Sequence, residues 1–529
     1  MMMPDLATVE KHCLTDPSER ELLKSRQRPI VLLRRRKEST IALEVAPKQE
    51  TLGVMLPYTP LHTLLFVPDQ NTDPLNSALP PLVMTSGNLS EEPIAIRNEE
   101  ARERLSSLAD AFLMNDRDIH TRCDDSVLRV VPGFGVPKSN EPNGHKTDSQ
   151  YFLRRSRGYA PDSIPIPFMV PSILATGPEL KNTFCLTRDQ YAFVSQHIGD
   201  MENYETLLSF QEGISQFEHL FRIQPEALAY DLHPNYLASR YALERSEREN
   251  IPAIPVQHHH AHIASCMADN GLDGLKRVIG VAFDGTGYGD DGAIWGGEFM
   301  IADYAGYERI THLAYFPLPG GDTAIKHPAR TALSLLWSLG LDWEEDLAPV
   351  QGLSLIERET LRAQLERGLN TPKTSSMGRL FDAAASLSGI RQRVNYEAQA
   401  AIEFESVINE NELGGYEFLV DEAGIDPKPA IQSLLEDVHS GTETSVIAAR
   451  FHNGVGRLVC QVCEEIKRSS GLIEVVLSGG VWQNMALLEK TKEQLLEQGF
   501  TVHIHHQVPT NDGGISLGQA LVASTKINR

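Results

Sequence analysis

Two rhythms of apolar residues run along this chain. Short continuous apolar runs at Ile173–Thr176, Val278–Phe283 and Ile473–Leu477 each end in a glycine-containing turn, which predicts buried strands. Between them the spacing turns helical. Ile214, Phe217, Leu220 and Phe221 fall on one face, and Ile447, Phe451, Val455 and Leu458 do so within a predicted helix from Val446 to Ile466. Repeated strand–glycine-turn units predict a duplicated α/β fold over residues 172–529, with a ligand cleft between its two lobes.

The front of the chain, to about residue 167, reads as a separate α/β region. Helices are expected at Leu6–Cys13, Leu61–Phe66 and Glu99–Asp110, and strands at Ile30–Arg36 and Val127–Val131. Met1–Pro4 runs into the first helix without a leading strand, as if the chain began inside a domain. Pro132–Gln150 is rich in Pro, Gly, Asn and Lys and predicts a surface loop. The prolines of Pro161–Pro171 predict an interdomain linker.

Charge and cysteine usage narrow the function. A formal net charge of −23 speaks against a broad nucleic-acid surface, although Arg34–Lys37 and Arg154–Arg157 are local basic clusters. Six cysteines without regular spacing fit a reducing compartment. Cys460 and Cys463 fall within a predicted helix and are expected in its core. No apolar stretch is long enough to span a membrane and no signal peptide opens the chain, so a cytoplasmic protein is expected.

The sharpest chemical signal is VQHHHAHIAS, Val256–Ser265. His258 and His262 stand four apart, so a helix would present both imidazoles on one face for one metal ion. The competing reading is a solvated polar patch. Asp284 and Asp512, each beside glycines, are the carboxylates that would join them. DGTGYGDDG (Asp284–Gly292), LSGGVWQN (Leu477–Asn484) and TNDGGISLG (Thr510–Gly518) read as glycine turns open to phosphate. Lys181, in LKNT, stands where it would meet a phosphate or carboxylate, or else is a surface lysine of a hairpin. His197 in SQHIGD and His233 in DLHP fall at strand ends, as fit for structure as for function. In the front region TSGNLS (Thr85–Ser90), Asp124–Ser126 and RRSRGYAP (Arg154–Pro161) suggest an anion site.

These motifs meet in one family. MLPYTPLH, VMTSGNLSEEPI, RCDDSV and RRSRGYAP, then LKNT, SQHIGD, DLHP, VQHHHAH, FDGTGYGDDG, SSMGRLFDA and VPTNDGGISLGQA, resemble the hydrogenase maturation carbamoyltransferases HypF, in order and over nearly the whole chain. The resemblance implies a partial YrdC-like α/β domain (1–167) and then a two-lobed, duplicated TsaD-like domain (172–529). The latter belongs to the sugar kinase, chaperone and actin ATPase (ASKHA) superfamily. It also implies an acylphosphatase domain, a zinc-finger-like segment and the basic front of the YrdC-like domain, none of which this sequence contains, so it reads as N-terminally truncated. In such a family carbamoyl phosphate is cleaved to carbamate, and ATP with Mg²⁺ converts carbamate to carbamoyladenylate and pyrophosphate. The TsaD-like domain then passes the carbamoyl group to the C-terminal cysteine of the partner HypE, on the way to the cyanide ligand of [NiFe] hydrogenase.

Carried onto this sequence, the resemblance makes His258, His262, Asp284 and Asp512 the ligands of one divalent metal, Fe or Zn. Gly285, Gly287, Gly289, Gly479, Gly480, Asn484 and Asn511 would hold the nucleotide, and Lys181 the carbamoyl phosphate portion. Ser86, Asn88, Arg117, Arg155 and Arg157 would form the residual YrdC-like site, and Ser375–Ala383 with Glu397 the ribose and base side. Two departures stand out: Asn115 where relatives carry His, and KHPAR (Lys326–Arg330) where an acidic–Pro–Trp–Arg pattern is expected. Related readings are tRNA threonylcarbamoyl transfer and antibiotic O-carbamoyl transfer. Against them stand the acidic balance with the VQHHHAH and DGTGYGDDG variants, and the order of the two modules. A different class is a remnant that binds nucleotide or HypE without turnover.

Overall fold

The computed structural model describes residues 1–67, 80–89, 92–131 and 149–527. The chain forms two compact units: Met1–Tyr230 with Asn235–Ile254 and His505–Ala520, and Asp231–Pro234 with Pro255–Ile504 and Leu521–Arg529.

The first unit holds two sheets. In the four-stranded one, Ile30–Arg34 lies between Thr51–Val54 (antiparallel) and Val127–Val131 (parallel), and Ser149–Arg154 closes the far edge. Val31, Leu33, Leu52, Val54 and Leu128 form its core with Val9, Leu22 and Leu23 of two flanking helices. Those helices, Leu6–His12 and Pro17–Lys24, start where Asp5 and Asp16 side chains accept backbone N–H groups, which satisfies donors that an open helix end leaves bare. Met2 bridges both Leu82 and Met55 and is fully buried, so the expected bare entry into the first helix is instead paired.

The five-stranded sheet runs Ile164–Val170, Cys185–Val194, Ile173–Ala175, Ala227–Asp231, Ala253–Val256. Its first strand corrects the linker expected at Pro161–Pro171. Ile164, Ile166 and Val170 are buried and Pro165 and Pro167 exposed, an alternation of period two. The strand pairs on one side only, and such an edge tolerates residues that lack an N–H. Three further boundaries differ from expectation. The helix expected at Glu99–Asp110 ends at Leu105 and buries no residue, so no packed face extends it. Leu220 is 60% exposed, whereas Ile214 and Phe217 of the same helix, Tyr204–Phe221, are buried beside Phe184 and Phe210. Ser149 and Gln150 begin a strand, and the rest of the loop expected at Pro132–Gln150, residues 132–148, lies outside the described residues.

The second unit is built on a sheet in which the hairpin Val278–Tyr288 and Ile294–Ala302 is flanked by parallel strands Glu474–Ser478 and Thr501–His503. The five-stranded sheet follows the same plan, since Ile173–Ala175 is antiparallel to Cys185–Val194 and parallel to Ala227–Asp231. Thus the duplication expected from the strand–glycine units is present. The predicted Val446–Ile466 helix extends over Thr444–Ser470, and Ile447, Phe451, Val455, Leu458, Cys460 and Cys463 are all buried in it. All six cysteines are free thiols. Among the described residues no helix is long and apolar enough to cross a membrane.

Candidate metal centre

The helix His258–Asp269 is buried on every side, so its histidines are no solvated patch. Gln257 caps it by accepting the His260 N–H at 2.8 Å, and its amide nitrogen donates to the Tyr288 carbonyl at 3.1 Å. One helical turn brings His258 and His262 together, with ring centroids 5.1 Å apart.

Beside them runs Val278–Tyr288, whose apolar half is buried throughout. The glycine turn expected to open at Asp284 is instead a continuation of this strand. Asp284, Gly285 and Gly287 lie within it, Asp284 and Gly285 in the irregular stretch of the pairing between Phe283 and Gly287. Gly287 is required by close approach: a Cβ there would lie 2.4 Å from His259 Cε1 and 2.6 Å from His258 Cδ2. At Gly289 the obstacle is Trp295, at 2.1 Å. Gly285 has room, its nearest neighbour for a Cβ being the Arg379 guanidinium at 3.5 Å.

Asp284 Oδ2 stands 3.4 Å from His258 Nε2 and 3.5 Å from His262 Nε2. Two ligand atoms about 2.1 Å from a tetrahedral ion stand roughly 3.4 Å apart, so the spacing is that of ligands around one ion. Asp284 Oδ1 accepts the Gly480 N–H at 2.9 Å. Gly480 follows the strand Glu474–Ser478, and Gly479 before it adopts φ +106°, where a Cβ would meet the Phe283 carbonyl oxygen at 2.3 Å.

A second set of contacts fixes the strand bearing Asp284. Ser376 Oγ donates to the carbonyls of Asp284 and Gly285, 2.7 and 2.8 Å away, and caps the helix Met377–Leu387. Neighbouring Ser375 donates to Glu298 Oε1 at 2.5 Å. Glu298, fully buried, also accepts the Gly296 and Gly297 N–H groups and pairs with Arg309 at 2.6 Å. In the same helix, burial raises Asp382 to about 6 despite its 3.0 Å pairing with Arg379. Asn484 caps the helix Met485–Glu497 and donates to His452 Nε2 at 2.8 Å. Neither Glu298 nor His452 was singled out in the sequence, nor was Asp231, whose Oδ2 accepts from His258 Nδ1 at 2.7 Å. The signal for Asp231 was available: an Asp ends a strand within DLHP, a motif noticed only for its histidine.

Lys181, Asn511, Asp512 and the residues read as the YrdC-like site lie in the first unit. Lys181, at φ +47°, occupies the turn after Ile173–Ala175, and its N–H donates to Asp200. Asn511 accepts from the Gly513 N–H and donates to the Leu153 carbonyl, and buried Asp512 opens the turn Asp512–Gly514. Ser86 and Arg117 are exposed, and Asn88 donates to the carbonyls of Leu89 and Glu92. Arg155 is buried and donates to the carbonyls of Val194, Tyr159 and Asp162. Arg157 pairs with Asp125, donates to the carbonyls of Gln27 and Arg28, and stacks 3.5 Å over Tyr58. Both guanidinium groups therefore tie separate segments of this unit together.

Comparisons with known proteins agree along the whole chain. Residues 280–519 match the model for the second subdomain of the carbamoyltransferase Kae1-like domain, and 169–269 the HypF Kae1-like domain. Residues 1–137 match the model of the Sua5, YciO and YrdC group, described as telomere recombination. Carbamoyltransferase HypF2 of Cupriavidus necator is 39% identical over 99% of this chain and 67% of its own length. Carbamoyltransferase HypF of Synechocystis sp. is 37% identical over 98% and 66%. The chain thus spans about two thirds of the length of the curated relatives it matches. A crystal structure of full-length HypF in the phosphate- and nucleotide-bound form has a TM-score of 0.89 at 43% identity, covering 100% of this chain and 79% of that one. T. kodakarensis HypF has a TM-score of 0.88 at 33% identity, covering 100% and 67%. The expected architecture, a YrdC-like α/β domain followed by Kae1-like domains of ASKHA type, is borne out.

Proposed function

This chain belongs to the HypF carbamoyltransferase family, and from that premise we propose that it carries a carbamoyl group to the C-terminal cysteine of HypE in hydrogenase maturation. The carbamoyl donor is carbamoyladenylate, formed from carbamoyl phosphate, by way of carbamate, and ATP with Mg²⁺. The observation that carries the reading is the convergence of His258 Nε2, His262 Nε2 and Asp284 Oδ2 in a buried site on a fold of this family.

Two imidazoles and a carboxylate at this spacing fit a divalent ion, Fe or Zn, with Asp512 as the fourth ligand of the proposal. When bound, the ion would supply Lewis-acid charge to phosphate oxygens. The chain's own residues do the rest. Gly480 N–H and Ser376 Oγ hold Asp284 and its strand in place. Of Gly285, Gly287 and Gly289, Gly285 is the one that leaves space for a nucleotide, whereas Gly287 and Gly289 make way for side chains. The SGG backbone with Asn484, steadied by His452, and Asn511 are assigned to the nucleotide, and Lys181 to the carbamoyl phosphate portion. In the transfer the cysteine thiolate attacks the carbamoyl carbon. A C–S bond forms, the bond from that carbon to the adenylate phosphate oxygen breaks, and AMP leaves with the electron pair. Burial of the site keeps water from competing for the same carbon.

We place the reaction in the cytoplasm, where the six thiols stay reduced, and expect neither membrane nor nucleic acid among its partners. For the front unit, Ser86, Asn88 and Arg117 are the accessible members of the YrdC-like site, while Arg155 and Arg157 hold its walls. The test is intact mass of HypE after incubation with this chain, ATP, Mg²⁺ and carbamoyl phosphate, alongside a reaction given preformed carbamoyladenylate. A carbamoyl adduct on the C-terminal cysteine in either reaction supports transfer. With folded, metal-loaded protein, no adduct in both leaves the binding-only remnant as the better reading.

A further inference from the structure

We propose that Asp231 is a positioning residue that fixes the tautomer and orientation of His258, so that Nε2 carries the lone pair a metal needs. The inference rests on the metal-centre reading above. His258 and Asp231 are both fully buried, and Nδ1 lies 2.7 Å from Asp231 Oδ2. A carboxylate oxygen only accepts, so the imidazole proton is on Nδ1 and the Nε2 lone pair faces Asp284 Oδ2, 3.4 Å away. Asp231 cannot itself be a ligand of the same ion, because it meets the opposite edge of the ring.

The carboxylate is itself held. Oδ1 accepts the His233 N–H at 3.0 Å, and the His233 ring packs edge-on to Tyr288 at 5.2 Å. The DLHP turn therefore anchors Asp231 against the strand that carries Asp284, and each oxygen of Asp231 has a separate task. Such an outer carboxylate raises the basicity of the ligating nitrogen, and its loss typically costs about 10–100-fold in metal affinity. His258 is the first residue of its helix, where the preceding turn is not there to wall in the ring, so the Asp231 contact bears more of the orientation.

The experiment compares wild type, D231N and D231E with H262A as a ligand-loss control. Zn²⁺ and Co²⁺ affinities are measured by competition with a chromophoric chelator, Co²⁺ coordination by its visible absorption, and folding by circular dichroism. D231N retains an acceptor for only one of the two N–H groups, so its affinity should fall roughly 10–100-fold with a changed Co²⁺ spectrum. D231E, which restores the charge, should recover part of both. Equal affinities and spectra in wild type, D231N and D231E overturn the proposal. So does a loss of thermal stability in D231N with metal binding untouched, which would make Asp231 a turn residue only. Should D231N not fold, D231S takes its place, and a wild-type affinity with a wild-type spectrum in that variant, which has no carboxylate facing His258 Nδ1, overturns the proposal. A wild type that binds neither ion more tightly than H262A fails the metal-centre reading itself, which is a distinguishable result.

Discussion

Replacing Gly287 by Ala tests whether the histidine pair is built to metal-site tolerance. The new Cβ would stand 2.6 Å from His258 Cδ2 and 2.4 Å from His259 Cε1. To reach an ordinary contact of about 3.4 Å, the His258 ring must retreat by about 0.8 Å and that of His259 by about 1 Å, or the strand must move instead. Metal–ligand distances tolerate only about ±0.2 Å. The helix His258–Asp269 is buried throughout, so it cannot yield by rotating into solvent. Overpacking of this kind costs typically about 1–3 kcal/mol, which leaves a folded protein if total stability is ordinary. Metal affinity should fall by at least 10-fold, the lower figure for a disturbed ligand shell. The matched control is Gly274→Ala, where a Cβ would meet Tyr304 at 2.3 Å and φ is +73°, away from both histidines. Chelator competition and thermal unfolding on both variants separate the effects. G287A with wild-type affinity, or G274A losing metal equally, would refute the claim that the bare strand position serves the ligand geometry.

Three further outcomes follow from the same contacts. Asp284→Asn keeps an acceptor for the Gly480 N–H but removes the charge facing His258 and His262, so bound metal, measured by elemental analysis after dialysis, should drop to background while the fold persists. Glu298→Gln sets an amide against Arg309 in a fully buried position, and loss of one partner from a buried pair costs about 3–5 kcal/mol; urea unfolding that moves by under about 1 kcal/mol would show that the Glu298–Ser375 clamp is dispensable. Burial lowers His452 from its ordinary 6.5 to about 4, so as pH falls through 6.5 the unfolded chain binds a proton first. The stability this contributes is fully present above pH 6.5 and is lost as pH falls toward 4, by about 3 kcal/mol at 1.36 kcal/mol per pH unit. Unfolding of wild type and His452→Gln from pH 7.5 to 4.5 should show a shallower decline in the variant, and parallel curves would assign the acid sensitivity to other groups.

How much of the site the sequence disclosed depends on how far apart its parts lie in the chain. His258 and His262 could be paired from spacing alone, because a helix converts a separation of four into a shared face. Asp284 stood out because it follows an apolar run and stands beside glycines, a pattern local in the chain. Likewise the strand–glycine units gave the duplicated sheet plan, since continuous apolar runs belong to strands covered on both faces. Glu298 and Asp231 left no comparable trace. Each acts through a partner distant in sequence, Ser375 for one and His258 for the other, and a lone acidic residue looks the same whether it faces water or a buried hydrogen. Composition misled in two places for a related reason. Prolines in Ile164–Val170 read as a linker because their exposed edge is a property of the sheet, not of the segment. Glycines at Gly287 and Gly289 read as a phosphate turn because a residue without Cβ signals close approach but not what approaches. In this structure it is two imidazoles and an indole. The site is therefore set less by a flexible glycine loop than by a rigid strand cut bare on one edge, into which the histidine helix is pressed.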